Sequence, residues 1–383
     1  MGEIAETAII GGALAGLSLA YDLVERGFPP SALTIFDRGD AHRGSNAPAL
    51  MMHPFPGREV RLRRDQGAFF VKSFKRMAQW RERFGEQQWW RSGTMVRPIT
   101  DDDRGQLLYD SWQKVHHDLP EPIECQNMEA QEVNRRYSGL NLSTPALVYE
   151  PAAAVVAAPL LKHLRDLLDA KGVRFRDEAV ESLDGTQEQG WTCVTSGTRW
   201  IGERVVLAVG SALADYFPGL DLRRRAGELL ILQPPDSVRL GAFVNVKKHI
   251  VELADGRWVL GSTYFDPTDS TPRDDRVVIR ALKNGVVDVI PAVEEAEVVR
   301  IWRGERGVFG SDDMPLVGPV PGRPGLFSMA AFGSKGLLWA PAAGAALAGL
   351  LMGHDNTISP HMDSRRMSAD KWGRDHQWRI SAR

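Results

Sequence analysis

The chain has 383 residues with 47 basic and 49 acidic side chains, so its formal charge of −2 gives no whole-chain positive field of the kind that marks nucleic-acid-binding proteins. This length allows one large domain or two domains with ample core. The two cysteines, Cys125 and Cys193, are isolated in sequence, which predicts neither a metal site nor a structural disulfide and suits the reducing cytoplasm.

The beginning of the sequence lacks a basic segment followed by a long apolar stretch, so we expect no signal peptide. The longest apolar run, residues 336–352, contains Pro341. It predicts a buried helix with proline in its first turn rather than a membrane span.

The first predicted elements are a strand, a glycine-rich turn and a helix. An apolar run from Ala8 to Ile10 precedes the turn, and leucines recur at near-helical spacing after it. The turn follows the pattern G-x-G-x-x-G with alanine at its second glycine position, and its residues are Gly11, Gly12, Ala13 and Gly16. A second apolar run, residues 33–36, ends at Asp37, an acid placed to accept ribose hydroxyls. The pattern predicts a dinucleotide whose pyrophosphate rests on a helix N-terminus, with NAD or FAD favoured over NADP.

The middle of the chain continues with alternating elements. Residues 66–90 predict an amphipathic helix whose aromatic stripe packs into the core. The arginines before it, which could bind phosphates or form a solvated face, are Arg58, Arg61, Arg63 and Arg64. Further strands are predicted at 93–98, 147–150, 173–175, 180–183 and 191–194. Further helices are predicted to begin at 101–103 and to cover 159–170. The fully apolar run 205–209 is typical of a central parallel strand.

The pattern then changes. Strands dominate from 227 to 264, a helix covers 274–289, strand and loop cover 297–318, and 325–352 return to strand, turn and helix. The predicted fold is α/β: a Rossmann-like nucleotide-binding domain (1–65, 145–225 and 305–355) interleaved with a substrate domain of mainly antiparallel sheet plus helices (66–144 and 226–304). Residues 356–383 are expected to wrap the surface as a tail.

Taken together, these segments resemble the D-amino-acid oxidase superfamily of FAD-dependent oxidoreductases, and the resemblance covers nearly the whole chain. The carrying elements are the glycine turn with Asp37, GSNAPALMMHP, the helix opened by Pro159, LAVGS, WVLGSTY, WRGERG and AAFGSKGLLWAP. Within the superfamily, the chain is most similar to glycine and sarcosine oxidases and to the oxidase domain of the enzyme that modifies the wobble uridine of bacterial tRNA. The resemblance implies FAD as the cofactor.

The resemblance also implies roles for individual residues. Those expected to contact FAD are Gly11, Gly12, Ala13, Gly16, Asp37, Arg38, Ser45, Asn46, Ala47, Ala49, Leu50, Met51, Val180, Ala208, Gly210, Gly304, Gly333, Ser334, Lys335, Gly336 and Leu337. Lys335 would also add positive charge at the flavin edge where reduction puts negative charge. Arg306, in the pattern W-x-G-x-R, would clamp a substrate carboxylate. His249 stands where glycine oxidase has an active-site tyrosine, and Ala331 where family members commonly have glycine.

The resemblance implies oxidation of the C–N bond of an amine or small amino acid by hydride transfer to flavin N5, with reoxidation by oxygen or another acceptor. One alternative is oxidative removal of a glycine-derived group from modified tRNA wobble uridine. Another is a flavoprotein that matures or modifies a partner protein. Trp89, Trp90 and several C-terminal arginines could form its docking surface, although core packing explains the tryptophans as well. The sequence predicts no resident metal.

Overall fold

The computed structural model describes residues 6–40, 42–57, 60, 66–84, 89–186, 189–267, 273–310, 312–354, 357–373 and 377–379. The chain folds into two compact units. Unit 1 comprises residues 1–45, 159–225 and 305–383, and unit 2 comprises residues 46–158 and 226–304. Arg58, Arg61, Arg63 and Arg64 lie outside the described residues.

The described residues form strands and α-helices that alternate along the chain. The strands are β1 (Thr7–Ile10), β2 (Leu33–Phe36), β3 (Leu50–Met52), β4 (Trp90–Pro98), β5 (Glu124–Met128), β6 (Ala146–Val155), β7 (Arg174–Arg176), β8 (Ser182–Thr186), β9 (Gly190–Val194), β10 (Arg199–Gly202), β11 (Arg204–Leu207), β12 (Leu222–Gln233), β13 (Phe243–Asn245), β14 (His249–Glu252), β15 (Trp258–Gly261), β16 (Glu297–Phe309), β17 (Leu316–Pro319), β18 (Leu326–Ala330) and β19 (Gln377–Arg379). The helices are α1 (Leu14–Glu25), α2 (Gln66–Phe84), α3 (Asp103–Val115), α4 (Ala130–Arg136), α5 (Ala157–Ala170), α6 (Leu213–Tyr216), α7 (Asp275–Lys283) and α8 (Gly336–Leu351).

Unit 1 is built on a six-stranded sheet in the order β17-β18-β11-β1-β2-β7. The pairs β18-β11, β11-β1, β1-β2 and β2-β7 are parallel, and β17 joins the edge antiparallel. Every residue of β1 and β2 is buried, as expected of parallel strands covered on both faces. Because β1 is followed by β2 on one side and has β11 on the other, the strand order reverses at β1, where ligands bind in open α/β sheets.

A second sheet of unit 1 has the order β10-β9-β8-β19 and is antiparallel in its pairs. It brings residues 377–379 of the C-terminal segment beside β8, in register with Ser182–Asp184. Trp372 is also fully buried, with its ring edge-on to Phe217 at 4.8 Å between centroids. The described part of the predicted tail is therefore integrated into unit 1.

Most strands of unit 2 belong to a nine-stranded sheet with the path β16-β12-β15-β14-β13-β4-β6-β3, in which β5 also pairs with β6. All of its described pairs except the parallel pair β13-β4 are antiparallel. This agrees with the prediction of a mainly antiparallel sheet in a mixed α/β fold. One face of the sheet packs on α4 and α7 through a buried aliphatic cluster that includes Val148, Leu230 and Leu260.

The amphipathic segment forms α2, and its stripe of apolar side chains is buried as predicted. The helix ends at Phe84, and Trp90 begins β4. Trp89 is fully buried and Trp90 only 9% exposed, and their rings pack edge to face with centroids 5.9 Å apart. Of the two explanations for these tryptophans, the structure supports core packing and not a docking surface.

The unit boundaries differ from the predicted domain boundaries at two places. The sequence predicts residues 46–65 and 145–158 in the nucleotide-binding domain, whereas the structure has both segments in unit 2. The reason is strand pairing that the sequence does not reveal, since β3 pairs with β6 and β6 pairs with β4. The function of each unit remains a prediction.

Helix α8 corresponds to the longest apolar run. It begins at Gly336, so Pro341 is inside the helix rather than in its first turn, which corrects the prediction. Most of its side chains are buried, and a Cβ at Gly344 would lie 3.1 Å from the backbone nitrogen of Leu19 in α1, so glycine permits close packing of these helices. Within the described ranges, no helix combines the length and apolar character needed to cross a membrane.

Candidate cofactor and substrate site

The glycine turn follows β1 at the carboxyl edge of the parallel sheet, between the ends of β2 and β11. The Gly11 N–H donates to Phe36 O at 2.7 Å, and the Ala208 N–H donates to Ile10 O at 2.8 Å. Gly11 has a φ of +110°, and a Cβ there would lie 2.4 Å from Ala208 O. Only glycine fits this backbone and this contact. Gly11 and Ala208, both predicted cofactor residues, are therefore brought together.

Asp37 lies directly against the same turn. A Cβ built on Gly12 would lie 2.9 Å from Asp37 Oδ2, so the glycine allows the carboxylate to approach the turn. A Cβ on Gly16 would lie 1.9 Å from Gly11 O, which explains why the first turn of α1 needs glycine. This is the arrangement that a bound dinucleotide requires: small residues beneath the pyrophosphate and an acid beside the ribose.

Two helices, α1 and α8, begin at this edge without a side-chain cap at their N-termini. The N-cap residue of α1 is Ala13 and that of α8 is Lys335, and neither caps the helix with a side-chain hydrogen bond. Neither helix has an acidic residue in its first turn. The first N–H groups of a helix have no intrahelical acceptor and carry partial positive charge, so both ends suit negatively charged ligand groups. The residues therefore fit a dinucleotide cofactor.

Four segments of unit 1 converge on the end of β16. The Glu305 N–H donates to His42 O at 2.9 Å, and a Cβ on Gly44 would lie 4.0 Å from Arg306 Cβ. On the next residue, a Cβ at Gly307 would meet Gly210 O at 3.1 Å, and Gly307 O accepts the Gly333 N–H at 3.0 Å. Four segments therefore meet around half-buried Arg306. They are the early loop after β2, which contains His42 and Gly44, the LAVGS turn, the last three residues of WRGERG, and the FGSKG loop.

The FGSKG loop uses part of its backbone internally. The Gly333 N–H donates to Gly307 O, and the Lys335 N–H donates to Phe332 O at 3.0 Å. The donors that remain at the start of α8 are those of its first turn, beginning with Gly336 and Leu337. Ala331 has a φ of +63°, so alanine here keeps the left-handed conformation that favours glycine.

The other predicted cofactor residues are distributed as follows. Val180 is buried in the core of unit 1 before β8, and Gly210 has a φ of +59°. Ser45 ends the first segment of unit 1, whereas Asn46, Ala47, Ala49, Leu50 and Met51 belong to unit 2. Leu50 and Met51 pair with Val155 and Ala154. Gly304 is also in unit 2, where a Cβ would overlap the Trp302 indole at 2.0 Å.

Arg38 does not pair with Asp37. Its guanidinium donates to Asp40 Oδ2 at 3.3 Å, and both side chains are more than a third exposed. The cation that contacts Asp37 is instead Arg43, whose Nη1 lies 2.6 Å from Asp37 Oδ2. The sequence does not predict the contact of Arg43, because nothing in the loop after β2 indicates that the chain returns toward Asp37 six residues later. Gly44 and Gly307 were missed for the same reason.

Unit 2 contains a buried polar network on the sheet. Arg97 is 2% exposed and donates to Phe55 O at 3.1 Å and Gly57 O at 3.0 Å. His53 Nδ1 lies 3.3 Å from the Tyr149 hydroxyl. Burial, and then the charges of Arg97 and His249, lower the pKa of His53 to about 3, so the ring is neutral. The network holds the loop that follows the predicted flavin-lining residues.

His249, the third predicted catalytic residue, begins β14. It is partly buried and pairs in register with Asn245 on one side and Gly261 on the other. His249 is close enough to this network for its charge to contribute to the lowered pKa of His53. Among the described residues, no group of three or more His, Cys, Asp or Glu side chains could hold a metal ion.

Comparisons with known proteins show the family to which the chain belongs. The model of the family described as FAD dependent oxidoreductase matches residues 6–350. Glycine oxidase from Pseudomonas putida is 28% identical over 229 residues, which are 57% of this chain and 58% of that protein. The tRNA 5-methylaminomethyl-2-thiouridine biosynthesis bifunctional protein MnmC from Thiobacillus denitrificans is 26% identical over 365 residues, 90% of this chain and 56% of that protein. The chain thus spans little more than half the length of these curated relatives.

The fold is also that of known structures. Glycine oxidase from Geobacillus kaustophilus superposes with a TM-score of 0.81 at 22% identity, covering 93% of this chain and 96% of that one. The match of the family model to most of the chain agrees with the uncapped helix ends and the glycine turn, and FAD is the cofactor that they fit. The chain belongs to the family of FAD dependent oxidoreductases.

Proposed function

We propose that this protein oxidises the C–N bond of a small amino acid or secondary amine that carries a carboxylate. The observation that carries the proposal is the position of Arg306, half-buried at the point where the early loop, the LAVGS turn and the FGSKG loop of unit 1 meet. A planar guanidinium binds a carboxylate through two parallel hydrogen bonds, which a lysine cannot reproduce. Arg306 would therefore fix the orientation of an amino acid.

Bound FAD supplies a two-electron acceptor for the hydrogen on the carbon next to the substrate nitrogen. Loss of that hydrogen with its electron pair, and of a proton from nitrogen, gives an imine that water hydrolyses to a carbonyl compound and an amine. The chain's part is orientation through Arg306 and stabilisation of negative charge by the open N-terminus of α8 and Lys335. His249 is proposed to contact the substrate.

A second candidate is oxidative removal of a glycine-derived group from modified tRNA wobble uridine. It is supported by the alignment with the tRNA biosynthesis protein MnmC over 90% of this chain, the same share that aligns with the glycine oxidase of Geobacillus kaustophilus. Against it stands the formal charge of −2, since a protein that holds tRNA by its phosphates needs a basic surface. Both candidates break a C–N bond, and they differ in the size of the substrate.

The test is anaerobic mixing of the purified yellow protein with a panel of compounds while flavin absorbance is followed. The panel contains glycine, sarcosine, other N-methyl amino acids, the same amines without a carboxylate, and tRNA carrying the modified uridine. Bleaching by carboxylated amines supports the first candidate, and bleaching by the tRNA alone supports the second. If no member bleaches the flavin, oxidation of these amines is excluded and a protein partner becomes the alternative.

The electron acceptor and the cellular location belong to the same proposal. Oxygen as acceptor would give hydrogen peroxide, which a peroxidase-coupled assay detects. Location in the cytoplasm is supported by the two cysteines, which are free in the structure, with Cys193 buried.

A further inference from the structure

The carboxylate of Asp37 is held by a cation that the sequence pattern does not contain. Arg43 Nη1 donates to Asp37 Oδ2 at 2.6 Å, within the range of strong charge-assisted hydrogen bonds. Only 12% of the Asp37 side chain and 24% of the Arg43 side chain are exposed. The pair is thus better shielded from water and salt than an ordinary surface ion pair.

The backbone of Arg43 is fixed independently of this ion pair. Arg43 forms a parallel bridge with Glu305, and the Glu305 N–H donates to His42 O at 2.9 Å. Glu305 is held in turn by Arg224, whose Nη1 lies 3.5 Å from Glu305 Oε1. The Arg43 side chain therefore reaches Asp37 from an anchored position, at low cost in chain entropy.

The other acceptor contact of Asp37 is weak. Asp37 Oδ1 accepts the Gly39 N–H at 3.3 Å, while Oδ2 faces Gly12 and Arg43. A carboxylate has about four acceptor positions, so the ion pair fixes its rotation while leaving capacity for further donors. Such donors are the hydroxyls of a ribose.

We propose that Arg43 is a positioning residue for FAD, acting through Asp37 at the adenosine end of the cofactor. It holds the Asp37 carboxylate turned against the glycine turn before the cofactor arrives. Arg174, which forms an exposed pair with Glu6 elsewhere in unit 1, serves as the control. The proposal concerns cofactor binding alone and stands apart from the proposed substrate.

The experiment measures FAD dissociation constants from flavin fluorescence, and melting temperatures of holoenzyme and apoprotein, for the wild type and for Arg43→Gln, Arg174→Gln, Asp37→Asn and the double variant Asp37→Asn/Arg43→Gln. We expect Arg43→Gln to weaken FAD binding roughly 10- to 100-fold, the range for a lost charged hydrogen bond. Arg174→Gln should change it less than about 2-fold. Because Arg43 acts through Asp37, the double variant should bind FAD about as weakly as Asp37→Asn.

Structural damage and positioning give different melting curves. Positioning predicts that Arg43→Gln lowers the melting temperature of the holoenzyme by more than that of the apoprotein, with partial rescue by Arg43→Lys. Equal lowering in both forms would overturn the proposal, as would wild-type FAD affinity or additive losses in the double variant. No amine is used, so failure of the proposed oxidation leaves this result unaffected.

Discussion

Helices α3 and α7 of unit 2 begin in a different way from helices α1 and α8 of unit 1. In unit 2, α3 is capped by Asp102, which accepts the Gly105 N–H at 2.8 Å, and α7 by Asp274, which accepts the Arg276 N–H at 2.8 Å. In unit 1, α1 and α8 begin at Ala13 and Lys335 without such a bond. A capped helix is satisfied within its own chain, whereas an uncapped one leaves donors for something else.

The polar groups of the two units differ in the same sense. Unit 1 presents backbone and glycine at the sheet edge, where Gly11 and Gly16 keep side chains away from the turn. Unit 2 satisfies buried side chains internally, as when Arg97 donates to two backbone carbonyls and Glu228 accepts from Thr263 and Arg273. The contrast indicates that the open donors of unit 1 serve ligand binding. The predictions below test this contrast.

Removing the glycine under the open end of α1 should have the largest effect. In Gly16→Ala the new Cβ would meet the backbone oxygen of Gly11 at 1.9 Å, so the turn must move. We expect FAD binding to weaken at least about 100-fold, or about 2.7 kcal/mol, as measured by flavin fluorescence titration. In the control Gly349→Ala the Cβ lies 3.9 Å from His354, and FAD binding should be unchanged. Wild-type affinity in Gly16→Ala would contradict the role of the turn.

Arg306 tests whether a side chain of unit 1 also recognises a ligand. Arg306→Gln should raise the KM for a carboxylated amine roughly 10- to 100-fold, because the fork that binds the carboxylate is lost, while FAD stays bound. Steady-state and anaerobic reduction kinetics separate KM from kcat. Arg300→Gln, an exposed arginine of the same strand, is the control. An equal effect on amines without a carboxylate would remove the clamp role.

The pH dependence of stability tests whether the buried polar network around His53 in unit 2 is built from uncharged histidine. Its pKa is about 3 in the fold, against 6.5 for an ordinary histidine, so the unfolded chain binds an extra proton between these values and stability falls as pH falls. Between pH 7 and pH 5 this costs about 2 kcal/mol. In urea unfolding, the free energy of unfolding of His53→Gln should fall by about 2 kcal/mol less than that of the wild type between pH 7 and pH 5.

The exposed His354→Gln provides the reference for the pH experiment. It should keep the pH dependence of the wild type. Identical slopes for wild type and His53→Gln would contradict the assignment of the acid-sensitive step to the buried network.

The capped helix end should give the smallest effect. Asp102→Ala removes the acceptor of the Gly105 N–H and should lower the free energy of unfolding, as measured by urea titration, with no change in FAD affinity. Asp101→Ala, the exposed neighbour, should change stability by less than about 0.5 kcal/mol. A loss of FAD in Asp102→Ala would break the distinction between capped and open helices.

The sequence by itself determined the features that depend on local backbone requirements. The run Ala8–Ile10, the glycine turn and Asp37 form one continuous stretch, and a strand, a turn and a helix must follow one another there whatever lies around them. The aromatic stripe of α2 was likewise readable from its period, because burial on one helix face needs that spacing.

The tertiary structure alone decided which distant segments meet. Pairing of β3 with β6 places residues 46–65 and 145–158 in unit 2, and the return of the loop after β2 sets Arg43 against Asp37. The physical reason is that strand pairing and ion pairing join residues through space, and their partners leave no periodic trace along the chain. The turn conformation of Ala331 is a similar case, since alanine gives no sign in sequence that its φ is +63°.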